Sequence, residues 1–241
     1  MIKFLIILLF LLATVSAFLK TPKGKGIVGE LIIKLHLGKT TPGEKYIINN
    51  LMIEGENGKT SQIDHILINK NGVYVIETKN YSGRIYGKDN QLQWTQVLNY
   101  GKIKNQFYNP VKQNTTHIYR INEALKEDIY LHSIIVFTQG NTQYIESDKV
   151  YTISQMKRFI KQPQKQQLTV EKMEEIHNKL LNIKDNNHTT TKEHIENIHQ
   201  TLKDTQNGIC PRCGGQLVER KGQHGTFYGC SNYPNCKFTM K

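Results

Sequence analysis

Two adjacent segments with β-like sequences carry charged side chains that are able to do chemistry. Residues 63–68 and 73–79 are rich in β-branched residues and flank a turn-forming Asn-Lys-Asn-Gly stretch, which predicts a β-hairpin. Asp64 lies on the first strand. Glu77 and Lys79 share one face of the second, because side chains two residues apart on a strand point the same way. Both faces of that strand are mostly apolar, so these charges must pair with one another or bind a ligand.

The register of this hairpin determines which side chains meet. If Ile68 pairs with Val73, Asp64 lies directly opposite Glu77, with Cβ atoms about 4.5–5.5 Å apart. A tighter Asn-Gly turn instead sets Asp64 opposite Lys79 on the same face, and a three-residue loop separates the groups. The first register therefore predicts a pair of facing carboxylates.

Two facing carboxylates repel each other unless a cation lies between them. A hard divalent cation such as Mg²⁺ removes that repulsion and keeps several water positions open. Such a cation lowers the pKa of a bound water and clamps a phosphoryl oxygen, and Lys79 would stabilise the charge that develops there. The alternative is a structural salt bridge among Asp64, Glu77 and Lys79, since charge clusters also arise for purely structural reasons.

All four cysteines lie near the C-terminal end, in the pattern C-x2-C-x16-C-x5-C. They are Cys210, Cys213, Cys230 and Cys236. Four thiolates at such spacing form a closed tetrahedral zinc site, and a module of about 34 residues needs such a site in order to fold. A redox dithiol at the first pair would need a βαβ context that the tail lacks, and a secreted disulfide framework would spread over more of the chain.

The elements that must position these groups form a mixed α/β pattern between residues 24 and 150. The predicted elements are a helix over 28–37, strands over 46–53, 63–68, 73–79 and 133–138, and a helix over 110–125. After residue 150 the composition shifts to glutamine, lysine, asparagine and threonine, with helices expected over 169–183 and 192–202. We therefore interpret residues 151–207 as a helical linker to the cysteine module over 208–241.

The N-terminal segment, residues 1–19, is apolar, with no charge from Phe4 to Leu19. It predicts either a retained membrane anchor or a cleaved signal peptide with a cleavage site near Ala17. Three lysines follow the run within six residues, while one precedes it, so the positive-inside bias favours an anchor with the rest of the chain in the cytoplasm. Secretion after cleavage is the alternative.

The composition is that of a folded protein with a basic balance. The chain has 241 residues, 38% of them hydrophobic and 22% charged, which excludes wholesale disorder. The formal net charge of +12 is concentrated at the two ends, with +4 over residues 1–25 and +4 over 208–241. A basic excess indicates nucleic acid or an anionic membrane surface as a partner and says nothing about the fold.

An acidic strand residue followed by Glu-x-Lys on the next strand, after a helix that carries a further glutamate, resembles the PD-(D/E)xK nuclease core. More closely, residues 24–140 resemble the nuclease-related (NERD) domain. The blocks that carry this resemblance are Gly29-Glu30, Gln62-Ile63-Asp64-His65, the stretch from Gly72 to Gly83, Trp94, and Asn109-Pro110-Val111 with Gln113, Asn114 and His117. Related nucleases have Gln-x-x-x-Tyr on the later helix, where this chain has His117 in the tyrosine position.

The NERD resemblance implies a restriction-endonuclease-like core and a role for each matching residue. Glu30 would be a helix carboxylate that supports the metal site. Asp64 and Glu77 would be the Mg²⁺ ligands, and Lys79 the catalytic lysine. Gln113 would lie on a later helix beside this site.

The tail over residues 208–241 is similar to the C4 zinc fingers at the C-termini of bacterial type IA topoisomerases, a resemblance that implies DNA binding, mainly to single strands. Aromatic side chains offer stacking faces for bases, and basic ones offer phosphate contacts. The expected DNA-binding residues are Arg212, Arg220, Lys221, Phe227, Tyr228, Tyr233 and Lys237, with Phe238 as a further aromatic. Some of these aromatics must instead fill the small core of the module.

Two functional hypotheses follow. The first is a membrane-tethered, Mg²⁺-dependent nuclease whose zinc finger holds a strand near Asp64, Glu77 and Lys79. The second is a DNA-binding or tethering protein that keeps the nuclease fold without cutting. The intact set of acidic and basic residues favours the enzyme.

Overall fold

The computed structural model describes residues 2–55, 57–127, 129–222 and 225–240. The helices are α1 (Ile2–Lys20), α2 (Pro22–Leu37), α3 (Pro110–Leu125), α4 (Ile153–Phe159), α5 (Val170–Asn186) and α6 (Thr191–Gln206). The strands are β1 (Lys45–Glu54), β2 (Thr60–Asn69), β3 (Gly72–Lys79), β4 (Arg84–Lys88), β5 (Gln93–Leu98), β6 (Ile103–Tyr108), β7 (Leu131–Phe137), β8 (Asn141–Glu146), β9 (Val150–Tyr151), β10 (Leu217–Gly222), β11 (Gly225–Cys230) and β12 (Thr239–Met240). The predicted mixed α/β fold is confirmed.

The central sheet has the strand order β1-β2-β3-β7-β9, antiparallel from β1 to β3 and parallel from β3 to β9. Ile68 pairs with Val73, which is the register that sets Asp64 toward Glu77. The ladder continues to Asn69 and Gly72, so the turn between the strands is shorter than the four residues expected. Gly72 has φ of 146°, a conformation that a residue with a Cβ rarely adopts.

Helices cover both faces of the central sheet. On one face, α2 and α4 pack on an apolar cluster that includes Ile33, Tyr74 and Met156. On the other face, α3 and α5 pack on a second cluster that includes Val75 and Ile121. Because alternate residues of β3 point to opposite faces, Val73, Val75 and Glu77 lie on the α3 side. The hairpin charges are thereby buried against α3.

A second sheet with the order β6-β5-β4-β8 forms from residues 84–108 and 141–146, where no strands were predicted. Its inner face packs against α3 and β7 through a cluster that includes Ile85, Trp94 and Phe137. Trp94 is fully buried and donates from Nε1 to the carbonyl oxygen of Lys88 at 3.0 Å. This sheet begins at Arg84, five residues after Lys79.

Residues 151–207, expected as a helical linker, are largely helical and pack on the central sheet and its helices. One face of α5 buries Met173, Ile176 and Leu180 in the cluster that α3 also contacts. β9 adds a strand to the central sheet, and His194 of α6 is buried, with Nδ1 2.7 Å from the hydroxyl of Thr60. The polar sequence of this segment reflects helices that bury only one stripe each.

α1 and α2 meet at a sharp bend. Taken singly, no helix in the described part of the chain is long and apolar enough to cross a membrane. The two helices reach that length and composition only as a pair, over Phe4–Lys20 and Pro22–Leu37, with an 85° bend between them.

Candidate active site and zinc centre

The hairpin charges gather where β2 and β3 leave their ladder. The last ladder pair is His65 with Ile76, so Asp64 and Glu77 are the next residues on each strand. Asp64 Oδ2 accepts a hydrogen bond from the backbone N–H of Thr78 at 2.8 Å, which holds the carboxylate against the end of β3. We call Glu30, Asp64, Glu77 and Lys79 the carboxylate centre.

Lys79 links β3 to the first turn of α3. Its Nζ donates to Glu77 Oε1 at 2.7 Å and to Gln113 Oε1 at 3.1 Å. Glu77 is only 2% exposed, whereas the Lys79 side chain is 17% exposed, so the ion pair is open to solvent on the lysine side alone. The structure therefore brings Gln113 to the carboxylate centre, as the NERD resemblance implies.

His117 lies one helical turn beyond Gln113 and faces the other oxygen of the same carboxylate. Its Nε2 is 3.3 Å from Glu77 Oε2, and the ring is buried. Neither atom completes a well-directed hydrogen bond, which leaves Oε2 of a fully buried carboxylate without a proper donor. His117 therefore contacts Glu77 rather than an open phosphate-binding surface.

Two buried asparagines, which the sequence does not identify as site residues, fix α3 in place. Asn109 caps α3 by accepting from the N–H of Val111, and its side-chain amide donates to three carbonyl oxygens of the β4–β5 turn. Asn114 Nδ2 donates to the carbonyl of Val75 at 2.9 Å and to Ser133 Oγ at 2.8 Å. The signal in the sequence was the Asn-Pro pair at a helix start.

Glu30 reaches the centre because α2 approaches the end of β3 closely. A Cβ at Gly29 would lie 2.7 Å from Asn80 Cβ, so only glycine permits this approach without a shift. Asn80 Nδ2 in turn donates to the carbonyl of Lys25 at 2.7 Å. Burial and then the charge of Glu77 raise the pKa of Glu30, while Lys79 opposes the shift. Glu30 thus lies within the electrostatic field of the hairpin charges.

The two hairpin carboxylates have pKa values shifted in opposite directions. Burial and the neighbouring Glu77 raise the pKa of Asp64 well above its ordinary value. Burial by itself would raise the pKa of Glu77, but Lys79 and His117 outweigh it and hold that pKa below the ordinary range. Burial would lower the pKa of Lys79, yet Glu77 outweighs it and raises that pKa. Lys79 is therefore an ammonium at neutral pH.

These residues fit a hard divalent cation. Glu77 Oε2 is a buried oxygen without a well-directed donor. Burial and the neighbouring Glu77 raise the pKa of Asp64, so a bound cation would favour the ionised form of that carboxyl group. Among the described residues, three or more potential ligand groups lie within 4.8 Å of one another only at the cysteines. The carboxylate centre therefore offers a cation at most two such groups at that spacing. Mg²⁺ is commonly held by just one or two carboxylates, with waters and substrate phosphates completing its shell.

The four cysteines form a compact cluster in the C-terminal module. Their Sγ atoms all lie within 4.8 Å of one another, with Cys210 to Cys236 at 3.7 Å and Cys213 to Cys230 at 3.3 Å. Tetrahedral Zn–S bonds of about 2.3 Å place sulfurs about 3.8 Å apart. The backbone N–H of Asn232 lies 3.4 Å from Cys230 Sγ and supports a thiolate there. The set fits a structural Zn²⁺ ion, as predicted.

The expected DNA-binding residues divide into exposed and buried groups. Lys221, Tyr228, Tyr233 and Lys237 are exposed. Phe227 and Arg220 are half-buried, and Arg220 donates to the carbonyl of Cys230 at 3.2 Å. Phe238 is buried beside the cysteines and fills the core of the module.

Arg212 lies in the interface between the cysteine module and α3. It is only 7% exposed, and its guanidinium carbon lies 5.8 Å from the ring centroid of Tyr119 and 5.7 Å from that of Phe238. Lys112 of α3 donates to the carbonyl of Thr239 at 2.8 Å. Arg212 therefore docks the module instead of facing solvent, a role that its position beside a zinc ligand does not reveal.

Comparison with known proteins matches two separate regions of the chain. The model of the nuclease-related domain family matches residues 25–138, and that of the topoisomerase DNA binding C4 zinc finger matches residues 207–241. An uncharacterized protein of Bacillus anthracis is 31% identical over 204 residues, which cover 81% of this chain and 95% of that protein. No solved structure matches the chain.

Other relatives match only the cysteine module. DNA topoisomerase 1 of Methanocaldococcus jannaschii is 50% identical over 42 residues, which are 17% of this chain and 6% of the topoisomerase. The Escherichia coli protein YrdD is 56% identical over 32 residues, which are 13% of this chain and 18% of YrdD. The similarity to topoisomerases is therefore confined to the zinc finger.

Proposed function

The chain belongs to the nuclease-related domain family, and from that premise we propose that it is a Mg²⁺-dependent nuclease that hydrolyses phosphodiester bonds of DNA. The observation that carries the proposal is the hydrogen-bonded set Glu77–Lys79–Gln113 beside Asp64, in which Glu77 is buried and the other three residues are half-buried. A lysine beside two carboxylates supplies the groups that phosphodiester hydrolysis with a bound cation uses: ligands for the cation and a donor to the developing negative charge.

Each residue of the carboxylate centre has a distinct part in this proposal. Asp64 and Glu77 would hold Mg²⁺, which when bound lowers the pKa of a water and neutralises phosphate charge. Lys79 stays protonated and donates to the phosphoryl oxygen on which negative charge develops. Gln113 holds the ammonium in place, and Glu30 supports the site through its negative charge.

We assign strand binding to the zinc finger, with a preference for single-stranded DNA. Tyr228 and Tyr233 are exposed aromatics, and stacking on such rings is available to unpaired bases of any sequence. Lys221 and Lys237 are exposed cations that would contact phosphates. Arg212 supports this binding only indirectly, since it docks the finger on α3.

We further propose that residues 4–19 tether the protein to a membrane, with the remaining chain in the cytoplasm. Large apolar side chains on all sides of α1 face solvent, with Phe4 and Phe10 each 72% exposed. Such a surface is unfavourable in water and suits a lipid environment. Retention of the full-length chain on membranes after a carbonate wash tests this part, and release into the wash contradicts it.

The test of the nuclease is cleavage of labelled single- and double-stranded DNA by the full chain in a neutral detergent, with Mg²⁺ or Mn²⁺. Lys79→Ala should abolish cleavage while binding is unchanged. Lys70→Ala, an exposed lysine in the turn of the same hairpin, is the matched control and should cut like wild type. Cleavage that persists in Lys79→Ala contradicts the assigned centre. Binding without cleavage by the wild type favours the non-catalytic DNA-tethering protein.

A further inference from the structure

The second sheet has an outer face that neither the carboxylate centre nor the zinc finger uses. On β4, Ile85 and Gly87 are buried, whereas Arg84, Tyr86 and Lys88 are exposed. The strand therefore turns alternate side chains to the core and to solvent. Its outer face borders a groove of about 790 Å³, in the size range of ligand sites. The groove is lined by Arg84, Tyr86, Thr95, Val97, Gly101, Lys104 and Gln106.

The register arranges these outer side chains in two rows across the strands. One row runs Gln106, Thr95, Tyr86 and Tyr144 from β6 to β8. The next runs Lys104, Val97 and Arg84 from β6 to β4. Neighbouring strands are about 4.8 Å apart and residues i and i+2 about 6.8 Å apart, so both rows lie within reach of one extended ligand.

The first row presents an aromatic platform. The rings of Tyr86 and Tyr144 are stacked, with centroids 4.7 Å apart and planes 15° apart, and each side chain is 38% exposed. Tyr144 covers one face of the Tyr86 ring. On the opposite flank Tyr86 pairs with the small Thr95, so its other face opens into the groove.

The second row presents positive charge without an acidic partner. Within the described residues, no carboxylate oxygen lies within 4.0 Å of the charged groups of Arg84 or Lys104. The nearby Lys88 is paired with Glu146 at 2.8 Å and adds no net charge. The outer face thus combines two unpaired cations with a stacking platform, and its aliphatic surface is limited to Val97.

We propose that this outer face binds a single strand of nucleic acid, with phosphates on Arg84 and Lys104 and a base on Tyr86. Cations that follow a backbone and aromatic rings that accept bases are the combination by which proteins hold unpaired strands. The proposal adds a binding surface on the nuclease-related domain itself. It rests on the proposed function only in taking nucleic acid as the substrate class, because binding on this face requires no hydrolysis.

The test measures fluorescence anisotropy of a labelled oligothymidylate with the full chain in neutral detergent and no added divalent cation. Loss of one base stack should weaken binding roughly ten-fold in Tyr86→Ala/Tyr144→Ala. The double variant Tyr86→Phe/Tyr144→Phe keeps both rings and should bind like wild type. Circular dichroism confirms that each variant is folded.

The charge contribution is tested by Arg84→Ala/Lys104→Ala. This variant should lower the magnitude of the slope of log affinity against log salt by about 1.4, because each phosphate contact on a single strand contributes about 0.7. Lys157→Ala/Arg158→Ala makes the same charge change on α4, which packs on the far face of the central sheet, and should leave the slope unchanged. Ultraviolet cross-linking of an iodouracil strand should label the peptides that contain Tyr86 or Tyr144.

Unchanged affinity in both alanine variants, with cross-links confined to residues 208–241, would overturn the inference. Cleavage assays with Mg²⁺ separate this result from the fate of the nuclease. If the wild type cuts while the outer-face variants bind normally, the nuclease stands and the inference fails. If the outer-face variants lose binding while the wild type cuts nothing, the inference stands and the nuclease fails.

Discussion

The carboxylate centre and the cysteine centre are built in opposite ways. The four thiols come from residues 210 to 236, and their sulfurs meet because turns of the local chain bring them together. The carboxylate centre draws on α2, β2, β3 and α3, with Glu30 and Gln113 separated by most of the domain. The first can be identified from spacing alone, whereas the second requires a strand register.

The two centres also differ in what holds them. Among the described residues of the finger, the buried apolar side chains are those of three cysteines and Phe238, so we expect its folding to depend on the metal. The carboxylate centre lies on a central sheet whose two faces are each covered by a large apolar cluster. If the carboxylate centre binds Mg²⁺ as proposed, that metal is a ligand of a domain that is already folded, whereas zinc takes part in folding the finger. We therefore expect substitutions at the two centres to have opposite effects on stability.

The largest expected effect is unfolding of the zinc finger in the Cys230→Ser variant. Structural zinc contributes about 10–16 kcal/mol to the folding of such modules, so removal of a thiolate should unfold residues 208–241 and lower the zinc content. Hydrogen exchange by mass spectrometry would show lost protection there and retained protection in α5. Asn235→Ser, at an exposed neighbouring position, is the control. A finger that stays protected without zinc would remove the contrast between the two centres.

Unlike Cys230→Ser, the Asp64→Asn variant should not lower the stability of the folded protein. It removes one of two repelling buried carboxylates while keeping an oxygen for the N–H of Thr78. Without divalent cation the variant should be as stable as wild type or more stable by about 1 kcal/mol, while cleavage with Mg²⁺ falls by about 10²–10³.

Urea denaturation and a cleavage assay measure the two effects of Asp64→Asn. Asp185→Asn makes the same chemical change at an exposed position of α5 and should alter neither. A marked loss of stability in Asp64→Asn would show that the carboxylate centre, like the cysteine centre, holds its own fold together.

Arg212→Ala should separate zinc binding from docking. The guanidinium of Arg212 packs between Tyr119 and Phe238. We expect its removal to weaken the association of the finger with α3 by about 1–2 kcal/mol. The zinc content should stay at one equivalent, while α3 near Tyr119 gains hydrogen exchange. Lys237→Ala, on an exposed surface of the finger, should leave exchange in α3 unchanged. Zinc loss in Arg212→Ala would mean that the finger does not fold independently of the dock.

The smallest effect concerns pH. Burial and the nearby Arg212 lower the pKa of Lys112 to about 8. The docked state therefore binds fewer protons than the undocked state between about pH 8 and the ordinary lysine pKa of about 10.4. Docking should strengthen as pH rises through that window, by about 1 kcal/mol after solvent screening of this partly exposed group.

Exchange in α3, followed against pH, measures the effect of Lys112. The trend should vanish in Lys112→Met and persist in Lys157→Met, which alters an exposed lysine of α4. If hydrogen exchange in α3 changed with pH in the same way in the wild type, Lys112→Met and Lys157→Met, a group other than Lys112 would control docking of the finger.

The sequence predicted the elements whose patterns are strong. The β2–β3 hairpin and α3 were predicted from their sequence patterns. The register of the hairpin was left open between alternative turns, and the structure selects the pairing of Ile68 with Val73. The second sheet was missed because its strands are short and half of their residues face solvent. α5 was interpreted as linker because it buries only a narrow stripe, which includes Met173 and Leu180.

Some features of the sites depend on the tertiary structure and have no local signal. Arg212 in a basic finger suggests a phosphate contact, and only the packing of the finger on α3 assigns it to an interface. His117 could be placed on the correct helix, but its contact with Glu77 depends on the crossing of α3 over β3. In both cases the sequence identifies the residue, whereas the residues that it contacts are determined by the tertiary structure.

The docking of the finger on α3 has a geometric consequence. Gln113 faces Lys79 and Tyr119 faces Arg212 on the same helix, about 9 Å apart along its axis. In a protein that cuts as proposed, a strand gripped by the finger would reach the scissile position after a constant number of nucleotides. The length of the released fragments would then be set by the fixed distance between the zinc finger and the carboxylate centre.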